Sequence, residues 1–326
     1  MDYCLFKLRF DGAVHFGQSD SALSLYTSAD HFCADTLFSA LCHTAGTLHG
    51  EAGIEQLCAQ AKAGALLLSD SMPWRERDGR DVYYLPKPCI ASSHKQDVPA
   101  HLRKAIKKTA WIPVRDMGRF EMSIQGEQLY VPDEEPFGIT DTRTFASVRD
   151  GEDTRPYQVG VYRFLPSCGL YFLAACSTKA QMEALEQLVA ALGLGGIGGK
   201  VSSGFGTFSV EKVIRLEQSD DAQICWLRDA LTHTAPRHHL LLTTSLPGDE
   251  ELEAVLEEAQ YQLVRRGGYV QSDTFSSTPQ RKSTQYYLAA GAMLARPFSG
   301  KLYNTVPSGK HPVYRYAKPI MLGVSF

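Results

Sequence analysis

Residues 193–206 read Gly-Leu-Gly-Gly-Ile-Gly-Gly-Lys-Val-Ser-Ser-Gly-Phe-Gly, so seven of the fourteen positions carry no side chain. A backbone needs glycine where φ must be positive or where another backbone passes close, and we therefore predict a functional loop here. Before the loop, Ser177 or Thr178 can cap a helix. Its apolar residues share one face, namely Met182, Leu185, Leu188, Val189 and Leu192. After the loop, alternation from Phe208 predicts a strand, which gives the order helix, glycine loop, strand.

That order excludes two nucleotide-binding motifs. The spacing Gly193-x-Gly195-x-x-Gly198 fits the dinucleotide fingerprint, but that fingerprint must follow a strand and open a helix. A phosphate-loop NTPase would need glycine and Ser or Thr where this chain has Leu194 and Val201. Two interpretations remain for the glycine loop, a cradle of main-chain amides for a polyanion or a tight turn packed against a neighbouring element. Glycine density alone leaves both open.

The composition limits the classes of function. The 326 residues have a net charge of -3, which argues against a protein that coats nucleic acid through bulk charge. The eight cysteines form no C-x-x-C pair, so we expect neither a zinc site nor a disulfide framework, and no other metal or cofactor. We see no secretory signal and no apolar run of membrane-spanning length, and we predict a cytoplasmic protein that contacts no membrane.

The first part of the chain predicts a mixed unit. Residues 3–10 alternate as a strand with one buried face, a helix starts with Asp35 as its N-cap, and a short second helix lies around Ile54. Strands follow at 65–69 and 168–176. Between them, an insertion at about 84–165 is interrupted by prolines, and we expect short strands there and no core. Without this insertion, residues 1–215 read strand, helix, strand, strand, helix, strand, which is the ferredoxin-like order also used by RNA-recognition domains.

A second unit is predicted over residues 222–326. It has strands at 239–245, 261–265 and 284–290, and an acidic helix at 249–260. The predicted fold class is therefore α+β, with two ferredoxin-like (RRM-like) domains and a long thumb-like insertion in the first.

Several stretches together resemble one protein family. The glycine loop after the last helix of a ferredoxin-like unit resembles the signature of the RAMP superfamily of CRISPR-Cas proteins. The rest is similar to the fourth Csm subunit of type III-A effector complexes in five further stretches that follow the family's order along nearly the whole chain. These are Ala34-Asp-Thr-Leu-Phe-Ser-Ala-Leu41, Tyr84-Leu-Pro-Lys-Pro88, Arg155-Pro-Tyr-Gln-Val159, Arg265-Arg-Gly-Gly-Tyr269 and His311-Pro-Val-Tyr-Arg315.

The resemblance implies a non-catalytic subunit at one end of a complex. Such a subunit holds the repeat-derived 5′ tag of the CRISPR RNA, docks the large cyclase-type Cas subunit with its HD and palm domains, and contacts the first backbone RAMP subunit. The expected RNA-binding residues in the first unit are His31, Arg143, Arg149, Arg155, Gly196, Gly198, Gly199, Lys200, Ser202, Ser203, Gly204, Phe205 and Gly206. In the second unit they are Arg265, Arg266 and Arg315. For Phe205 two roles are open, stacking on a base or packing beneath the loop.

The alternative class is a RAMP endoribonuclease that processes CRISPR RNA or cuts target RNA. Metal-independent cleavage needs a general base, for which His15, His31 and His43 are the candidates. Metal-dependent cleavage would use Asp35, which the helix start favours as a cap instead. We expect no nuclease activity. A third interpretation, a related Cmr or type I subunit, is disfavoured by the motifs beyond residue 260.

Overall fold

A computed structural model describes residues 1–17, 22–90, 99–132, 135–147, 153, 155–272, 275–276, 278–306 and 308–325. It is a mixed α/β structure in which every paired strand is antiparallel. The helices are α1 (Ala34–Lys62), α2 (Ala100–Lys108), α3 (Met117–Ile124), α4 (Lys179–Gly195), α5 (Ala222–Leu231) and α6 (Leu252–Leu256). The strands are β1 (Asp2–Phe10), β2 (Leu66–Leu68), β3 (Met72–Arg77), β4 (Arg80–Pro86), β5 (Trp111–Pro113), β6 (Gly138–Ser147), β7 (Arg155–Phe164), β8 (Cys168–Cys176), β9 (Phe208–Arg215), β10 (His238–Leu241), β11 (Leu263–Arg266), β12 (Gln285–Leu288), β13 (Met293–Leu294), β14 (Leu302–Asn304), β15 (Tyr314–Tyr316) and β16 (Met321–Val324).

The largest sheet organises the molecule. Its strand order is β5-β4-β3-β8-β1-β9, and β2 also pairs with β8. Strand β8 is buried along its whole length. Strand β1 is covered on both faces, which corrects the expectation of one buried face: Phe6 and Leu8 belong to one hydrophobic cluster and Leu5 to another. Lys7 tolerates burial because its ammonium lies 2.7 Å from Asp81, with a second carboxylate and an indole ring nearby.

Each face of this sheet carries one cluster. The first lies under α1 and α4 and includes Phe38 and Val189. The second lies under α5 and the three-stranded sheet β13-β10-β16, so that Leu5 and Leu240 share it. The two predicted units are therefore joined by a common hydrophobic core.

The starts of the two main helices differ in their capping. Thr178 caps α4 in a capping box with Gln181, which confirms one of the two caps, Ser177 or Thr178, that the sequence offered. The prediction that Asp35 caps α1 is wrong. Cys33 stands at the N-cap position without a side-chain bond, and the first-turn amide of Ala34 donates instead to Asp70 Oδ1 at 2.8 Å. A break at Gly50 (φ 67°) divides α1, in agreement with the two helices expected there.

The inserted segment contains more structure than predicted. It supplies α2, β5 and α3, and then the two-stranded ribbon β6–β7, whose strand β6 is mostly exposed. The expectation that it contributes no core is wrong, because Ile112, Met117 and Phe120 pack into the second cluster. The prolines interrupt the helical and strand patterns of the sequence in this segment, but its apolar side chains are buried nonetheless.

The last third is less regular than the predicted second unit. Strands β11 and β12 form a separate hairpin, as do β14 and β15, while β10 pairs with β13 and the final strand β16. Helix α6 has only five residues, in place of the acidic helix expected at 249–260. Among the described helices, none combines the length and the apolar character that a membrane crossing requires.

Candidate nucleic-acid interface

A cleft of about 1390 Å³ lies where four segments converge. It is bounded by the residues around the start of α1, the glycine loop, the end of α2 with the start of β5, and the chain that follows β11. We call this space the cleft. Its lining includes His15, His31, Asp35, His43, Asp70, Lys107, Lys108, Trp111, Gly198, Gly199, Arg266, Lys282 and Arg315.

Two glycines of the loop, Gly199 and Gly206, bind it to residues 13–16. The Gly199 amide donates to the His15 carbonyl at 2.8 Å, and the Gly206 amide donates to the Ala13 carbonyl at 3.0 Å. Gly206 has φ 74°, and a Cβ there would lie 2.0 Å from the Ile197 carbonyl oxygen. The loop is thus a packed turn, and the same turn presents Gly198 and Gly199 to the cleft. The structure therefore supports the packed turn, and the cradle for a polyanion stays a prediction for the side of the loop that faces the cleft.

The second half of the loop holds the β6–β7 ribbon. Lys200 adopts a left-handed conformation (φ 63°), and its ammonium donates to the Tyr157 hydroxyl at 2.9 Å. The same ammonium lies 4.7 Å from the centre of the Tyr157 ring. Phe205 is 3% exposed and packs with Val159 and Val161, so the structure supports packing beneath the loop over base stacking. Ser202, Ser203 and Gly204 are exposed, outside the lining of the cleft.

Two aromatic rings share one carboxylate in the cleft. Asp30 Oδ1 accepts a hydrogen bond from His31 Nδ1 at 2.8 Å, and Asp30 Oδ2 accepts one from Trp111 Nε1 at 3.3 Å. Burial disfavours the charged form of His31, but the hydrogen bond to Asp30 and its charge raise the pKa of His31 above its usual value. Burial likewise opposes ionisation of Asp30, and the bond to His31 lowers the pKa of Asp30 overall.

Asp35 is neutralised by arginines from the far end of the chain. Its carboxylate accepts two bonds from Arg266, at 3.0 Å and 2.5 Å, and lies 3.8 Å from Arg315 Nε. Burial opposes ionisation of this carboxyl, yet the charge of Arg266 and its hydrogen bonds lower the pKa of Asp35. A bidentate pair of this kind fixes β11 against α1.

Arg315 has a structural position. It is 4% exposed, and its guanidinium donates to the carbonyls of Arg266, Gly267 and Ser283 at 2.8–3.2 Å. These bonds hold the guanidinium against the backbone at the edge of the cleft, and the expectation that Arg315 binds RNA stays a prediction. Lys282 lines the same end of the cleft, where burial and then the charge of Arg315 lower the pKa of its ammonium.

The cleft gathers some of the predicted RNA-binding residues and separates others. His31, Gly198, Gly199, Arg266 and Arg315 line it. Gly196 and Gly206 support the loop from outside the cleft. Arg143 and Arg155 are exposed on the ribbon, Arg265 is exposed on β11, and Arg149 lies outside the described residues.

Other residues of the cleft were not predicted to bind RNA. Lys107 and Lys108 end the basic sequence Arg103-Lys-Ala-Ile-Lys-Lys108, and their place at the end of α2 brings both to the cleft. Trp111 and Lys282 gave no sequence signal, because only folding brings them beside His31 and Arg266.

The nuclease candidates have defined environments. His15 is 7% exposed, and its Nδ1 donates to the Gly160 carbonyl at 2.7 Å, since a carbonyl can only accept. His43 is exposed on α1 at the edge of the cleft. Over the part of the chain that the structure describes, no three His, Cys, Asp or Glu side chains are grouped to hold a metal ion.

Comparisons with known proteins give a consistent result. The family model for the CRISPR Csm4 C-terminal domain matches residues 234–324. The CRISPR system Cms protein Csm4 of Mycobacterium tuberculosis is 34% identical over 326 residues, which covers 99% of this chain and 98% of that protein. The protein of the same name from Streptococcus thermophilus is 29% identical, with 98% of each chain covered.

Solved structures show the same fold. A chain from the crystal structure of a Csm3-Csm4 subcomplex in the type III-A CRISPR-Cas interference complex matches with TM-score 0.65, 17% identity and full coverage of both chains. A chain from a Csm1-Csm4 cassette in complex with cA4 matches with TM-score 0.59, 18% identity, and 100% and 99% coverage. The sequence relatives, the matched C-terminal domain and the shared fold show that this chain belongs to the Csm4 family of CRISPR proteins.

Proposed function

We propose that this chain is a non-catalytic, RNA-binding subunit of a type III-A CRISPR interference complex, and that its cleft holds the 5′ repeat-derived tag of the CRISPR RNA. The observation that carries the proposal is the convergence of glycine backbone, a histidine with a raised pKa and several cations on one cleft. Gly198 and Gly199 lie at one side, and Lys107, Lys108 and Lys282 lie at others. A chain of net charge -3 can bind RNA in this way because the positive charge is local.

The partners follow from the family. We propose that the chain anchors the large cyclase-type subunit and the first backbone RAMP subunit. Support comes from the similar chains, which were solved in Csm1-Csm4 and Csm3-Csm4 assemblies. We also propose that β1, α1, β2 with β3, β8, α4 and β9 form a ferredoxin-like unit, which the sheet order supports, and that the β6–β7 ribbon is its thumb. The second ferredoxin-like unit and the domain limits 1–215 and 222–326 stay predictions.

We further propose that the subunit does not cut RNA. Asp35, the residue that a metal-dependent mechanism would use, has both carboxylate oxygens bonded to Arg266. An endoribonuclease remains the alternative class. It is tested by incubating the complex with repeat RNA, and with target RNA and Mg²⁺. Cuts that disappear in His31→Ala or Asp35→Ala would replace this part of the proposal.

The RNA-binding proposal is tested by reconstituting the complex with charge-reversal variants on α2. Lys107→Glu places a negative charge in the cleft, while Lys104→Glu makes the same change on an exposed residue outside it. Lys107→Glu should weaken binding of tagged RNA, expose its 5′ end to nuclease, and lower the slope of log affinity against log salt by about 0.7 for each lost phosphate contact. Equal behaviour of the two variants, with both correctly folded, would contradict the proposal.

A further inference from the structure

Two rings in the cleft meet at a right angle. The centroids of His31 and Trp111 lie 5.2 Å apart, with an angle of 86° between the ring planes. Both rings line the cleft, and the two oxygens of Asp30 hold one ring nitrogen each. We call His31 and Trp111 the aromatic corner, and Asp30 is its positioning residue.

The environment of Trp111 differs from that of a core tryptophan. Trp74 is fully buried and donates its ring N–H to the Leu8 carbonyl, as buried tryptophans usually do. Trp111 is only half-buried: it packs against the second cluster and also lines the cleft. A large π surface in a cleft that is also lined by Lys107, Lys108 and Lys282 suits a flat, polar, aromatic ligand better than an aliphatic one.

We propose that the aromatic corner stacks one unpaired nucleobase of the bound RNA, with the base on one ring and its edge against the other. The inference rests on the proposed function, since it names what one part of the RNA does inside the cleft. Every base has a π face, so such a contact accepts any base and holds the strand through its shape. Lys107 and Lys108 line the same cleft and supply charge for the adjoining phosphates.

Asp30 contributes by fixing both rings before RNA arrives. A ring that is already held by a hydrogen bond loses little conformational freedom when RNA binds, so the affinity of the stacking contact is higher. Asp30→Ala should therefore weaken stacking without removing either ring. Asp30→Asn, which keeps an acceptor oxygen, should recover part of the loss.

The experiment combines protein variants with an abasic walk along the RNA. Reconstituted complexes containing wild-type, Trp111→Ala or Trp111→Phe chain are bound to RNAs in which one nucleotide at a time lacks its base, across the tag and the first guide positions. Trp226→Ala is the matched control, because Trp226 lies on α5 outside the cleft lining. We expect Trp111→Ala to weaken binding of intact RNA by about 5- to 150-fold, the range for one lost stack, and Trp111→Phe to weaken it less.

The decisive result is non-additivity at one position. An abasic nucleotide at that position should lower the RNA affinity of the wild-type complex by the same factor as Trp111→Ala does. The same abasic RNA should not lower the affinity of the Trp111→Ala complex any further. If the non-additive position lies in the guide and not in the tag, the stacked base belongs to the guide, and the result still supports stacking. Additive losses at every position, with the folded Trp111→Phe variant binding as wild type, would overturn the inference. So would tight binding of free AMP or ATP to the corner with no effect of any abasic nucleotide.

Failure of the wider proposal gives a different result. If the cleft does not hold RNA, Lys107→Glu and Trp111→Ala will both leave affinity and 5′-end protection unchanged. If only the inference fails, Lys107→Glu will weaken binding while Trp111→Ala will not.

Discussion

The carboxylate of Asp35 shows how a single residue can be placed by sequence and still be assigned the wrong task. Its position at the start of α1 is typical of an N-cap, but Asp70 occupies that role and Asp35 turns toward Arg266. Removing one partner of a buried ion pair leaves the other charge uncompensated. The pair is therefore sensitive to truncation on either side.

Arg266→Ala should lower the free energy of unfolding by about 3–5 kcal/mol, since the carboxyl of Asp35 is left charged and only 9% exposed. Denaturant unfolding measures this loss. In a double-mutant cycle, adding Asp35→Ala should restore much of it. Lys179→Ala breaks a pair in which the lysine is 76% exposed, and this control should change stability by less than about 0.5 kcal/mol. Additive losses in the cycle would show that the two residues act independently.

His31 gives a prediction about pH. Because its folded pKa is raised, its interaction with Asp30 stabilises the fold fully below the unfolded pKa of about 6.5 and is lost as pH rises through the folded pKa. The stability difference between wild type and His31→Ala should therefore shrink as the pH rises from about 6.5 through the folded pKa of His31. Its size should stay below about 1 kcal/mol because the side chain is 34% exposed. In an Asp30→Asn background the pH dependence should weaken, because Asp30 contributes more than Asp70 to the raised pKa of His31. An unchanged pH dependence would contradict the assigned pairing.

At the scale of elements, the glycine loop is a turn whose glycines have unequal roles. Gly206 combines a positive φ with a backbone oxygen 2.0 Å from any added Cβ. Gly195, at the end of α4, has open space at the same position. The same chemical change is thus severe at one residue and harmless at another.

Gly206→Ala should destabilise the protein by about 1–3 kcal/mol or more, because the strained backbone must also move away from Ile197. Gly195→Ala should be neutral or stabilising by up to about 1 kcal/mol, as expected for alanine in a helix. Thermal unfolding of the two variants side by side makes the comparison. Equal melting temperatures would mean that the loop can adopt another conformation.

The ribbon gives a second prediction at this scale. Tyr157→Phe removes the hydroxyl that accepts from Lys200 but keeps the ring beneath the ammonium. We expect a loss of about 0.5–1.5 kcal/mol, with limited proteolysis at the β6–β7 ribbon increased before global unfolding. Tyr26→Phe, a change on an exposed tyrosine, is the control. Unchanged cleavage of the ribbon would show that Lys200 does not hold it.

At the scale of the whole molecule, the two predicted units share the second cluster. Leu240 is fully buried there and contributes to a core that includes Leu5 of β1. Leu240→Ala should cost about 2–5 kcal/mol and should lower a single melting transition for the entire chain. Leu263→Ala, at a residue 57% exposed, should cost less than about 0.5 kcal/mol. Two separate transitions in calorimetry, with only one affected, would contradict a common core.

The sequence predicted what depends on local pattern. The cap of α4 by Thr178, the glycine loop and the break in α1 follow from short-range chemistry. What the sequence did not predict depends on distant segments. The second face of β1 is buried by α5 and β16, and Asp35 pairs with Arg266 from β11. Within the cleft, the glycine loop and His31 were both predicted to bind RNA. Trp111 was not, because no local pattern in the sequence relates it to His31.

The order of strands has a consequence for how a newly made chain folds. Strand β1 is made before its partners β8 and β9, which lie in the second half of the printed sequence, and β10 is made before its partner β16. Pairings between such distant segments form slowly, and unpaired strand edges attract other chains in the meantime. The largest sheet therefore cannot close until β9 has been made, and β10 gains its second partner only with β16, so the edges of β1 and β10 stay unpaired during part of synthesis.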